Sequence, residues 1–112
     1  MDKDKLAQLG VDYEMAVKRF AGNEKLYEKY LDRFKDDEHL RDADSAMERQ
    51  DYQEVLEQIH AFKGVSGTLG MDDLYEKSQV VVSAIRAGDT SHLEEQMKDV
   101  HVEYDKIMKY YE

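Results

Sequence analysis

Apolar residues recur at intervals of three and four along almost the whole chain, and no proline interrupts them. Side chains at that spacing share one face of an α-helix, and proline is the residue that most often breaks one. Strands need alternation with a period of two. The only β-branched run, Val80-Val81-Val82, sits inside a helical frame. The chain is therefore expected to be all-α.

The periodicity divides into blocks. Asp12 is placed to cap a short helix that carries Met15, Ala16 and Phe20 and stops near Gly22. Asn23 can cap the next, whose stripe is Leu26, Tyr27, Tyr30, Leu31 and Phe34. The stripe loses phase at Asp36-Asp37-Glu38, where a bend or break is expected, and resumes at Leu40, Ala43 and Met47. Asp51 with Glu54 resembles a capping box, and Gly70 ends the helix it opens. Asp72 or Asp73 can start the next, with Met71, Leu74, Tyr75, Val81, Val82 and Ile85 apolar and Ser78 small. Gly88 suits its end. Ser91 with Glu94 resembles a second capping box, before a stripe of Leu93, Met97, Val100, Tyr104, Ile107, Met108 and Tyr111. Long amphipathic helices with short connections predict an antiparallel up-down four-helix bundle over residues 23–112. Short helices within residues 1–22 would cover one end. A chain of 112 residues fits one domain, 1–112.

Composition removes several function classes. There is no cysteine, so neither disulfides nor thiolate zinc sites are available. The net charge of −10 opposes binding to nucleic acid or to an anionic membrane surface. No apolar run approaches the roughly 20 residues that span a bilayer, and the N-terminus lacks a secretion signal's apolar core. A cytoplasmic protein without membrane contact is expected.

The stretch "IHAFKGVSGTLG", Ile59 to Gly70, places glycine where a helix should disfavour it. Glycine costs about 1 kcal/mol in a helix interior relative to alanine. With His60 at zero on a helical wheel, Lys63 lies about 60° to one side, Gly64 about 40° to the other, and Gly67 about 20° off. Val55, Ile59, Phe62 and Leu69 gather on the opposite side, as a core stripe. His60 then faces solvent beside two positions that lack a side chain. A bare surface lets a large partner reach the ring, and Lys63 supplies a cation for an anion such as phosphate. Imidazole titrates near pH 6.5, so a neutral, nucleophilic nitrogen is available near neutral pH. Together these point to a phosphoryl group held on His60. No Gly-rich phosphate loop or acidic magnesium set is present to activate ATP, so a partner must bring the metal and the leaving group. Leu56, one turn earlier, is the one large apolar residue on this face; it fits a docking surface and a core edge equally well.

His60-Ala61-Phe62-Lys63-Gly64 followed by Leu69-Gly70 resembles the signature of histidine-containing phosphotransfer (HPt) domains. Gly10-Val11-Asp12, Arg19-Phe20-Ala21-Gly22-Asn23 and Leu26-Tyr27 resemble the family's opening, and Gly88-Asp89 its break before the last helix. The resemblance implies a phosphocarrier, not an enzyme, in a multistep two-component phosphorelay. His60 matches the phosphoacceptor, Lys63 the lysine that helps hold the phosphate, and Gly64 the glycine that leaves room for it. Leu56 and Gly67 fall on the implied docking face. The implied partners are response-regulator receiver domains, which supply magnesium, with a hybrid histidine kinase upstream. No cofactor or metal of its own is implied. Some members carry a glutamine twenty-two residues after the histidine, near the ring. Val82 stands there, with Gln79 one turn earlier. Met1 and the complete bundle favour a free-standing protein, and the lack of dimerisation helices favours a monomer.

Three rival readings compete with this one. A lone histidine is usually a plain surface residue, which suits His39, His92 and His101 but leaves the glycines beside His60 unexplained. Glu57-Gln58-Ile59-His60 matches the Glu-x-x-His unit of di-metal bundles, but no second unit exists and Lys63 would repel a cation. A docking adaptor of the same fold, without phosphate, is the remaining alternative.

Overall fold

The computed structural model describes residues Met1–Glu112 and contains seven α-helices and no strand. They are α1 (Lys3–Gln8), α2 (Tyr13–Arg19), α3 (Glu24–Arg33), α4 (His39–Glu48), α5 (Tyr52–Thr68), α6 (Asp72–Arg86) and α7 (Leu93–Met108). Short 3-10 turns follow α3, at Phe34–Asp36, and α7, at Lys109–Tyr111. No helix is long and apolar enough to cross a membrane.

Helices α4 to α7 pack in sequence order, each against the next, across short connections. The first arm of the bundle is broken where the stripe lost phase. Asp37 is extended (φ −68°, ψ 131°), and its carboxylate accepts from the His39 amide (3.3 Å) and meets the His39 ring (2.6 Å). Helix α3 and the turn after it still join the core, through Tyr27 and Leu31 and through Phe34, none of them more than 2% exposed. The Phe34, Phe62 and Tyr104 rings meet at about 6 Å and tie this arm to α5 and α7. Tyr111 donates its hydroxyl to the Leu31 carbonyl, and the His101 ring meets the Asp44 carboxylate at 2.8 Å, closing α7 on α4.

Most of the expected caps form. Asp12, Asn23 and Asp51 each accept from the backbone amide three residues on. The capping box at Asp51 is half made, because Glu54 accepts from Gln58 instead of reaching back. Ser91 does not cap α7. Its amide and hydroxyl both donate to Asp89, and this holds the Asp89 carboxyl below the usual carboxylate range. The local turn outcompetes the cap, and α7 starts at Leu93 with no side-chain cap.

The short leading helices cover the end of the bundle where α5 turns into α6. Val11 forms an isolated bridge with Met71, and the Asp12 amide donates to the Gly70 carbonyl at 2.8 Å. Gly70 carries the close approach. Its φ is +81°, and a Cβ there would stand 2.5 Å from the Asp12 carbonyl oxygen and 3.0 Å from the Ala16 Cβ. Gly70→Ala is expected to cost about 2 kcal/mol, from left-handed strain plus overlap. Urea unfolding measures it, and a loss below about 0.5 kcal/mol contradicts this packing.

Candidate functional site

Helix α5 presents opposite characters on its two sides. Val55, Ile59 and Phe62 are fully buried and Leu69 nearly so, as the wheel requires, while His60 is exposed. The His39 and His101 rings, both half-buried, are bonded to aspartates. The His60 ring makes no hydrogen bond within the chain. Gln79 does not orient it, and Val82 is wholly buried in the core.

Lys63 is half-buried, one turn along from His60. Its ammonium donates to Gln79 Oε1 on α6 at 2.7 Å and lies 5.7 Å from the centre of the Tyr75 ring. Gln79 Nε2 in turn donates to Ser83 Oγ at 2.7 Å. Lys63 forms no ion pair.

The two glycines beside His60 differ. A Cβ built on Gly64 meets nothing within 4 Å, so nothing in this chain requires glycine there. A Cβ on Gly67 would stand 2.9 Å from the Tyr75 ring. The expectation that both glycines clear space for a partner is thus corrected at Gly67, where the space is filled from α6. The Gly67 carbonyl also accepts from the Arg19 guanidinium. Leu56 is half-buried and packs on the core edge.

A groove of about 680 Å³ adjoins Gly64. Phe20, Leu26 and Tyr30 line one side, Ala61, Val65, Thr68 and Leu69 the other, with Arg33, Asp36 and Asp37 also on its margin. Leu26 and Tyr30 are 37% and 43% exposed, although the sequence stripe counted them with the core. The signal was in the stripe's width. Tyr27, Leu31 and Phe34 span about 60° of the wheel, whereas Tyr30 lies about 60° and Leu26 about 100° from Tyr27. An apolar arc that broad exceeds what one core face can bury.

Glu57 and His60 both face outward, and no three His, Asp or Glu side chains gather where they could hold a metal ion. The site as built is an exposed imidazole on a rigid helix. A tethered, unpaired cation lies to one side, and bare backbone and an apolar groove to the other. Such a surface can offer a ring nitrogen to a bulky anionic group and grip its carrier nearby. The Hpt domain family model matches residues 25–109, from early α3 to just past the end of α7. No curated protein and no solved structure matches the chain.

Proposed function

The chain belongs to the Hpt domain family, and from that premise we propose that His60 accepts a phosphoryl group from an aspartyl phosphate on a receiver domain and passes it to another receiver. Members of this family serve phosphotransfer in phosphorelays and are carriers, not catalysts. The observation that carries the assignment to His60 is Gly64: a helix position with open space and no internal need for glycine, beside an unbonded imidazole.

The His60 nitrogen farther from the backbone attacks phosphorus in line. The N–P bond forms as the P–O bond to the receiver's aspartate breaks, and the bonding pair leaves with the carboxylate. Handing the group on reverses these roles. Lys63 offsets negative charge on the phosphoryl oxygens, and the receiver's own magnesium supplies the larger share of that effect. The receiver docks over Gly64, with the groove formed by Phe20, Leu26 and Tyr30 on one flank and Leu56 one turn before His60 on the same face. Apolar contacts of this modest extent suit a partner that must leave.

The test is transfer from a phosphorylated receiver, read as acid-labile, base-stable label on the protein. Lys63→Ala is expected to slow transfer about tenfold, the value of one charged hydrogen bond, and to shorten the life of the phosphohistidine while the helical content stays unchanged. An unchanged rate and lifetime would remove Lys63 from the site. A protein that binds receivers but takes no label from any of them would be a docking adaptor.

A further inference from the structure

We propose that Gln79 is a positioning residue, holding the Lys63 ammonium ready for the phosphoryl group on His60; this rests on the phosphocarrier reading above. A free lysine side chain samples many rotamers, and fixing it costs conformational entropy. Here that ordering already exists. Gln79 Oε1 accepts from Lys63 Nζ at 2.7 Å, and the Tyr75 ring, seated against Gly67, lies beside the same ammonium. An ammonium has three donors, so the bond to Gln79 leaves two for phosphate oxygens.

The glutamine itself is held. Its Nε2 donates to Ser83 Oγ one turn along α6, and this fixes the amide with its oxygen toward Lys63. Since Lys63 can only donate, no other orientation of the amide would bind it.

The neutrality of the tether is the chemical point. The chain has 26 acidic residues, yet none pairs with Lys63. A carboxylate at position 79 would hold the lysine equally well, but it would cancel the charge and repel the phosphoryl group. Glutamine fixes the position and leaves the charge available. Its amide is engaged by Lys63 and Ser83 and makes no hydrogen bond to the His60 ring, so its action runs through Lys63.

The experiment is a double-mutant cycle on Gln79 and Lys63. Label is driven separately by a phosphorylated receiver and by phosphoramidate, a small donor that needs no docking. Gln79→Met removes the acceptor at constant length. It should slow transfer and shorten the phosphohistidine lifetime about three- to tenfold, within the net worth of one hydrogen bond. Added to Lys63→Ala, it should change nothing more. Gln79→Glu keeps an acceptor and should still lose rate, whereas a purely structural contact would survive it. Wild-type rates in Gln79→Met, losses that multiply in the double variant, or wild-type transfer by Gln79→Glu would each overturn the proposal. If the wild-type protein takes label from neither donor, the phosphocarrier reading itself fails; if it is labelled and only the Gln79 results disagree, the failure is confined to Gln79.

Discussion

His60→Gln is expected to abolish acid-labile, base-stable label completely while leaving the fold intact. Glutamine is polar and unbranched, and it has no nitrogen able to attack phosphorus. The loss should be total because no other histidine is offered in the same way. The His39 and His101 rings are engaged by aspartates at 2.6 Å and 2.8 Å. His92 is exposed, but it stands at the start of α7 beside Ser91, Glu94 and Glu95, with no glycine next to it on a helix face. Stability should move by no more than about 0.5 kcal/mol, as for a surface position without partners. Label that persists in the variant would place the acceptor elsewhere. Loss of both label and helicity would mean that His60 supports the bundle, against its exposure and its lack of hydrogen bonds.

What could be read in the sequence was what a single helix encodes. The buried side of α5, the outward His60, the break at Asp36-Asp37-Glu38 and the caps at Asp12, Asn23 and Asp51 follow from spacing within one or two turns. What could not be read depends on how one helix is rotated against another. On the wheel Gly67 falls beside His60 as Gly64 does, and the spacing carries no sign of the Tyr75 ring that fills its space from α6. The tether on Lys63 is equally invisible to spacing, because its partner Gln79 lies sixteen residues away across a helix pair. The groove at Phe20, Leu26 and Tyr30 exists because α3 meets α5 with only one edge of its apolar arc. Ser91 failed as a cap for a local reason: Asp89, two residues earlier, took both of its donors. A motif of serine and glutamate does not weigh such a competitor.

The contrast between the two glycines gives the second large expected effect. Gly64→Gln should stabilise the protein and disable receiver-driven transfer at the same time. Glutamine is a good helix former, so the exchange returns most of the roughly 1 kcal/mol that glycine forfeits in a helix interior, and the melting temperature should rise by a few degrees. Apart from its chain neighbours and its own helix backbone, the new Cβ meets nothing within 4 Å, and the rest of the side chain can extend into solvent from this exposed position. It does project beside His60, into the space a docked receiver must enter. A displacement of about 1 Å from reacting distance can cost a hundredfold, and a side chain several atoms long enforces more than that. Transfer from a receiver should therefore fall a hundredfold or more, while labelling by phosphoramidate falls far less because that donor needs no broad approach. Gly67 cannot give the same separation, because a Cβ there already meets Tyr75 at 2.9 Å. Receiver-driven transfer near the wild-type rate in Gly64→Gln would remove clearance as the reason for this glycine. A fall in stability would show that the fold needed it after all.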